Sequence, residues 1–388
     1  MKFKYLALAL AITSMSLTAC GDKKSAGNVI KIAASAPLTG SSADAGADHN
    51  NGAQLAVDEI NAKGGVEING VKHTLELVSE DDGGDPKQGA TVAQKIVDNQ
   101  DISAVIAHYN SGVTKVAQPL YATRNLVTLT ISTNPELTAK AVKGSKGETL
   151  LYRMDAHDAQ QGPALASYAH DKGLNKIAIL DDATTYGKGL ADEVEGKAKS
   201  LGMTLVSHAS VNDKTTDFKG VLSEIKHAGA DTIMWGGYDS AGATLVKQAR
   251  ELGMNTVFLM PDGVCTQNYK TLAGANADGS ICSATGIPLS DMKDGADFSA
   301  RYEKRFPGLK VQSYSPYTYD AVLTLVAAIK KANSAEPAKI AAAMQGISAT
   351  GMSGNIAFDD ATGERKDSFI TISEVKNMVS TTVAKITK

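Results

Sequence analysis

The chain has 388 residues, 43% of them hydrophobic and 21% charged, with a formal net charge of −3. That balance is ordinary for a globular protein, and the length suggests two domains rather than one. There is no basic excess to neutralise a phosphate backbone, which argues against a nucleic-acid partner, and no internal apolar run approaches the roughly 20 residues of a membrane span.

The chain opens on a short basic stretch, Met1 to Lys4, and an apolar run, Tyr5 to Ile12, too short to span a bilayer. Leu17-Thr18-Ala19-Cys20 follows and closely resembles a bacterial lipobox. Residues 1–19 therefore read as a signal peptide, Cys20 as a lipidated first residue, and residues 20–28 as its polar tether. An anchor of two or more acyl chains holds stably where one does so marginally.

Val29–Ala34 reads as a first buried strand. Asn50 to Asn61 has helical spacing, with Ala53, Ala56, Val57 and Ile60 on one face and Gly64-Gly65 as its stop. Thr74–Val78 reads as the next strand. The acids from Glu80 to Asp85 invite a metal-loop reading, but Asp85-Pro86 is a natural N-cap and first-turn pair for a helix to Val97. Ala104–Ala107 and Leu126–Ile131 are short apolar strands with a helix between them. They end in Asn110-Ser111-Gly112 and in Ser132-Thr133-Asn134-Pro135. Ligands of open α/β sheets bind outside the carboxyl ends of strands, and free N–H groups at a helix start attract an anion. The segment thus reads as a seat for a small carboxylate. A plainer reading stays open, in which Ser111 only caps the helix near Gly112 and Ser132-Thr133 only turns the chain.

Leu150–Asp155 looks like a strand leaving this series. A second series follows, with strands predicted at Lys176–Leu180, Thr204–Val211, Asp231–Trp235 and Thr256–Met260. Helices fall at Tyr186 to Leu201, Thr216 to Ala228 and Ala241 to Leu252. Such alternation argues for parallel sheets with helices on both faces. After Ile287-Pro288 come helices at Phe298–Phe306, Tyr317–Ala332 and Ala338–Met344. Asn355–Phe358 and Ser368–Ser373 suggest a β-hairpin. An exported chain matures in an oxidising compartment, which makes Cys265 and Cys282 candidates for a disulfide. Two cysteines without clustered histidines do not make a zinc site.

Catalytic signatures are absent: no GxSxG elbow, no Walker A loop, no GxGxxG after a strand and no HExxH. His108 sits at a strand end without a partnered nucleophile and reads as a structural histidine. Strand ends of the first series offer hydroxyls and amides at Ser111 and Thr133, while those of the second offer Tyr186, Tyr238 and Asp262. A carboxylate seat facing a carboxylate and aromatic walls suits an α-amino acid, whose charges are costly to desolvate without partners. Taken singly, Tyr186 reads equally as a helix cap, Tyr238 as packing and Asp262 as a turn. No cofactor is expected.

Several stretches are shared with a known family: AVDEINAKGGV at 56–66, DPKQ at 85–88, NPELT at 134–138 and DAQQGP at 158–163. YGKGLA at 186–191, GGY at 236–238 and PDGV at 261–264 add to them. On these the chain resembles the branched-chain amino-acid (leucine/isoleucine/valine) binding proteins of ABC transporters, over about Val29 to Phe369. The resemblance implies a type I periplasmic binding protein: two doubly wound parallel-sheet α/β lobes, joined by three crossing segments, that close as a Venus flytrap. It implies an N-terminal lobe of residues 29–153 plus 286–356 and a C-terminal lobe of 154–285 plus 357–388. It implies that Ser111 holds the ligand carboxylate and that Ile131 and Thr133 help hold its carboxylate and ammonium. Asp262 would pair with the ammonium, Tyr238 would close from the second lobe, and Tyr186 and Tyr319 would line the pocket. It further implies a monomer that delivers an amino acid to permease subunits in the inner membrane from the periplasm or cell envelope. Leucine, isoleucine or valine is the first expectation for the ligand, and alanine, threonine or serine the next.

The chain departs from that family at Asp262, where the best-known members carry Glu, and at Ala45, where they carry an aromatic. They also bear a disulfide at the positions of Gly84 and Asn110. These changes bear on side-chain preference, and Asn110 suits a more polar ligand. An alternative from another class is a sensor that reports an amide, an aromatic acid or an amino acid to a membrane receptor without transport.

Overall fold

Short apolar runs alternate with amphipathic stretches from Val29 onward, and each run becomes a strand covered by helices. In the computed structural model, which describes residues 28–387, the order begins β1 (Val29–Ala36), α1 (Ala43–Ala62), β2 (Val66–Ile68), β3 (Val71–Asp81) and α2 (Pro86–Asp98). Next come β4 (Ile102–Ala107), α3 (Ser111–Ala122), β5 (Thr128–Thr130), α4 (Glu136–Ala139), β6 (Leu151–Arg153) and α5 (Asp158–Asp171). The second series is β7 (Lys176–Asp181), α6 (Thr185–Ser200), β8 (Thr204–Ser210), α7 (Lys219–Ala228), β9 (Thr232–Gly236), α8 (Asp239–Glu251), β10 (Val257–Met260), α9 (Gln267–Ala273) and β11 (Ile281–Ala284). The chain ends with α10 (Gly295–Arg305), α11 (Ser315–Ala332), α12 (Pro337–Met344), β12 (Ser348–Gly351), β13 (Gly354–Ala357), β14 (Phe369–Lys376) and β15 (Val379–Thr387). Residue Cys20 and its lipidation lie outside the described residues.

The strands form two large sheets, ordered β2-β3-β1-β4-β5-β6 and β15-β14-β11-β10-β9-β7-β8. In the first, β3, β1, β4, β5 and β6 run parallel; in the second, β8, β7, β9, β10 and β11 do, with β14 and β15 antiparallel beside them. Parallel strands need both faces covered. Helices α1, α10, α11 and α12 bury one face of the first sheet through Leu55, Phe298, Leu325 and Met344, while α2 and α3 bury the other through Val92, Ile96 and Tyr121. On the second sheet Phe218, Trp235 and Phe258 fill one face and Leu165, Leu190 and Val194 the other. The chain passes between the sheets three times: after β6, after β11, and between β13 and β14. Strand order reverses between β1 and β4 and between β7 and β9, the switch points where α/β sheets bind ligands.

Three expectations are corrected. Helix α1 starts seven positions before Asn50, because its first turns are held by tertiary contacts instead of an apolar stripe. Buried Asp48 accepts from the backbone N–H groups of Gln312, Tyr314 and Ser315, and a Cβ on Gly46 would lie 1.9 Å from the Pro37 carbonyl oxygen. The segment around Val66 pairs back on β3 as an antiparallel hairpin. The predicted hairpin of Asn355–Phe358 with Ser368–Ser373 stops at a single antiparallel bridge, Phe358 with Arg365: β13 pairs with β12, whereas β14 pairs with β11 and β15. The Arg365 guanidinium between them donates to the Ser353 and Asn355 carbonyls, which fixes the turn to the wrong partner for that expectation.

Cys265 and Cys282 are disulfide-bonded, with Cα atoms 5.8 Å apart across a sequence separation of 17. Closing a loop of this length restricts the unfolded chain by about 3 kcal/mol. Reduction is expected to lower the unfolding free energy by that order in urea titrations. Coincident curves with and without reductant would show that the bond adds no constraint.

Candidate functional site

The first wall of the site is built on the ends of β4 and β5. His108 follows β4 and is fully buried. Its Nδ1 lies 2.7 Å from the Asp82 carboxylate and its Nε2 3.0 Å from the Tyr121 hydroxyl, and Ser35 donates to Asp82 at 2.9 Å. This is the structural histidine the sequence suggested. Its carbonyl accepts from Thr130 Oγ1 at 3.1 Å and Ser132 Oγ at 2.8 Å, so the loops Asn110–Ser111 and Ile131–Thr133 are locked side by side. Ser111 does not cap α3. Asn110 occupies the cap position without a side-chain cap bond, and Ser111 Oγ instead accepts the Asn134 N–H at 3.3 Å. Ser111, Ile131 and Thr133 are all buried at the start of α3 and the end of β5, where N–H groups and a helix dipole favour an anion.

The second wall comes from β7, β9 and β10. Thr184 caps α6 by accepting the Gly187 N–H at 2.9 Å. A Cβ on Gly187 would lie 2.4 Å from the Gly236 carbonyl oxygen, so only glycine lets α6 carry Tyr186 against the end of β9. Tyr238 stands at the cap of α8. Asp262 follows β10, buried, and accepts from Tyr186 Oη at 2.8 Å, Gln161 Nε2 at 2.8 Å and Tyr314 Oη at 3.3 Å. All three donors are neutral.

Tyr186, Tyr238, Tyr109 and Tyr314 touch in sequence across the cleft, in tilted and edge-to-face pairs with centroids 5.2, 5.8 and 5.1 Å apart. Two come from the second wall; Tyr109 and Tyr314 belong to the core of the first sheet. Asn134 Nδ2 donates to the Thr185 carbonyl at 2.8 Å and Ser240 Oγ to the Ser41 carbonyl at 3.3 Å, so the walls touch on both rims. Beside the tyrosines lies a cavity of about 810 Å³, lined by Ser42, Gly84, Asn110, Asp182, Thr184 and Tyr238 among others, a volume typical of small-molecule sites; Ser111, Ile131, Thr133, Tyr186 and Asp262 lie behind this lining, not on it.

Tyr319 is not in this site. Its hydroxyl donates to Glu59 at 2.8 Å, and its ring packs edge-on against Phe298 at 5.4 Å and under Arg301. It holds α1, α10 and α11 together, and the aromatic lining from that region is Tyr314. Sequence reasoning also missed Tyr109, Gln161 and Asp158. Gln161 uses its whole amide. Its Oε1 accepts from Asp262 N at 2.8 Å and Ser283 Oγ at 2.7 Å, and its Nε2 donates to Asp262 and, at 3.2 Å, to Asp158. It lies within the DAQQGP stretch, which was the available signal.

Burial raises the carboxyl of Asp262 above its ordinary value, although hydrogen bonds from Gln161, Tyr186 and Tyr314 pull the other way. Burial pushes Asp155 and Asp158 up strongly, and Asp182 at the cleft edge to about 6. The four tyrosines are held protonated by burial, with Asp262 adding to it. The site is thus a buried, hydrogen-bonded arrangement with carboxyl groups on one wall and hydroxyl and amide groups on the other. It can bind a cationic group and an anionic group together. Among the described residues no cluster of His, Cys, Asp and Glu could hold a metal ion.

Gln161→Leu keeps the volume and leaves the Asp262 N–H and Ser283 hydroxyl unpartnered. Ligand affinity is expected to fall at least about tenfold, read by calorimetry. Unchanged affinity would mean that the tyrosines alone hold Asp262.

A family model described as "Periplasmic binding protein" matches residues 29–377. The chain is 30% identical over 375 residues, 95% of each chain, to the leucine-, isoleucine-, valine-, threonine-, and alanine-binding protein of Pseudomonas aeruginosa. A leucine binding protein from Thermotoga maritima superposes with a TM-score of 0.82 at 24% identity, covering 92% of this chain and 98% of that one. A solute binding protein of an ABC transporter from Rhodopseudomonas palustris, in complex with 3,4-dihydroxy benzoic acid, superposes at 0.79 and 20% identity, covering 93% of this chain and 98% of that one.

Proposed function

The chain belongs to the periplasmic binding protein family, and we propose that it is the solute-binding component of an ABC importer and binds an α-amino acid between its two lobes. The observation that carries this reading is Asp262, a buried carboxylate whose hydrogen-bond donors are all neutral, across the tyrosines from the start of α3. A buried charge left without a counter-charge is costly, and a ligand ammonium supplies one. The ligand carboxylate then takes the seat formed by Ser111, Ile131 and Thr133, with Tyr186 and Tyr238 against its body. The Pseudomonas aeruginosa relative, named for five amino acids, supports the class.

In this reading residues 29–153 plus 286–356 form one lobe and 154–285 plus 357–388 the other. Sheet membership and the three crossings support that division. Ligand binding shifts an open–closed equilibrium by hinge bending, and the closed form is what permease subunits in the inner membrane recognise. Among the described residues no helix is long and apolar enough to cross a membrane, and a lipid on Cys20 would hold the protein, as a monomer, at the cell envelope.

The test is thermal unfolding against all common amino acids, after unfolding and refolding to strip carried-through ligand. A ligand at 100 times its Kd adds about 2.7 kcal/mol, a visible rise in midpoint. A rise with one or more amino acids is expected. No rise with any would overturn the reading and leave aromatic acids or amides as the next class.

A further inference from the structure

The side chain of Asn110 is buried, and its Oδ1 has no hydrogen-bond partner among the described residues. The amide group is not idle, since it hydrogen-bonds the Tyr238 hydroxyl. With the N–H engaged there, the oxygen remains an acceptor. It lies 3.2 Å from where a Cβ on Gly84 would be, and both residues border the cavity that also bears Ser41, Ser42, Thr184 and Ser240. Gly84 is held in place by its N–H bond to Asp82 at 3.0 Å. The wall beside the carboxylate seat at Ser111 therefore holds a fixed, unsatisfied acceptor. A leucine or valine side chain placed there leaves the buried Asn110 acceptor unsatisfied, which is expensive.

Resting on the α-amino-acid reading above, we infer that Asn110 selects ligands whose side chain donates a hydrogen bond, so that threonine and serine are bound in preference to valine, leucine and isoleucine. Threonine and valine are near-isosteric, and the difference between them isolates one hydroxyl. A pocket built to bond a ligand hydroxyl rejects the analogue that lacks it far more strongly than an apolar pocket discriminates between the same pair.

The test is calorimetric titration of the refolded protein with L-threonine, L-serine, L-valine and L-leucine, repeated on Asn110→Leu, which keeps the side chain's outline and removes the acceptor. The parent is expected to bind threonine at least about tenfold more tightly than valine, and Asn110→Leu to bring that ratio to unity or below. Valine binding as tightly as threonine in the parent would overturn the inference while leaving the α-amino-acid reading intact, and it needs no variant to be seen. A threonine preference that survives Asn110→Leu would overturn the assignment to Asn110. Failure of every amino acid to bind would instead overturn the proposed function itself.

Discussion

Asp262→Asn is expected to weaken amino-acid binding roughly 100-fold or more while leaving the ligand-free protein at least as stable as the parent. The two halves of that result come from one geometry. An asparagine there keeps an oxygen where Asp262 Oδ1 accepts from Gln161 and Tyr186, and puts an N–H₂ where Oδ2 faces the Tyr314 hydroxyl. Tyr314 also donates to the Asp262 carbonyl at 3.1 Å, a bond that the substitution leaves in place. Packing and hydrogen bonding are preserved, and a buried charge with no protein cation is removed, which is neutral or stabilising. The ligand ammonium loses its counter-charge and its affinity collapses. A variant that bound as tightly as the parent would show that the ammonium sits elsewhere. One that lost stability with affinity would make Asp262 a structural group. The same carboxyl sets a pH dependence. Burial holds it above the ordinary value of 3.8, and ammonium binding needs it ionised. Affinity should therefore fall as pH drops through that raised value, with proton release on binding; burial shifts Asp155 and Asp158 in the same direction.

The largest stability effect is expected at Arg153. This fully buried guanidinium, at the end of β6 where the chain first leaves its sheet, bonds Glu364 at 3.0 and 3.1 Å, the Asn134 carbonyl at 3.0 Å and Thr138 at 3.3 Å. It pins the first crossing, the third crossing and the loop of the carboxylate seat together. Burial by itself would raise the Glu364 carboxyl, but the charge and hydrogen bonds of Arg153, with Thr138, outweigh it and hold Glu364 below 4.5. A depressed folded pKa means that this contribution is present above the unfolded value and is lost as pH falls through the folded one. Arg153→Met strands a buried carboxylate and should cost about 3–5 kcal/mol, measured by urea unfolding at pH 7. Adding Glu364→Gln should recover much of the loss, because the pair is then replaced and not broken. A loss under about 1 kcal/mol in the single variant would contradict this role.

The strand-end rule picked out Ser111, Thr133, Tyr186, Tyr238 and Asp262 as candidates, because each lies within a few residues of the carboxyl end of a short apolar strand. Tyr109, two residues past β4, stands at such a strand end too but was passed over for Ser111, and Gln161 is not at a strand end. Tyr109 is one residue past a buried histidine, and Gln161 sits inside an amphipathic helix, so their roles arise from packing between segments about 100 or more residues apart, such as Gln161 with Asp262. Tyr319 was misplaced by a geometric detail. Five positions along a helix turn a side chain by about 140°, which sends Tyr314, at the cap of α11, into the cleft and Tyr319 back toward Glu59. Asp85 and Pro86 formed the expected cap and first turn, with Asp85 accepting from Lys87 and Gln88 N–H groups. The 355–373 hairpin stopped short because the chain there is held by Arg365 and Asp320, which tie it to the Met154 carbonyl and to Ser353 across long stretches of sequence.

The central claim is that the cleft reads both charges of a zwitterion. The most direct test is calorimetry with the best-binding amino acid, its deaminated acid and its α-carboxamide, on refolded protein. The account predicts that each analogue binds at least about 100-fold more weakly than the amino acid. A deaminated acid bound as tightly as the amino acid would contradict it, since Asp262 would then face no ammonium.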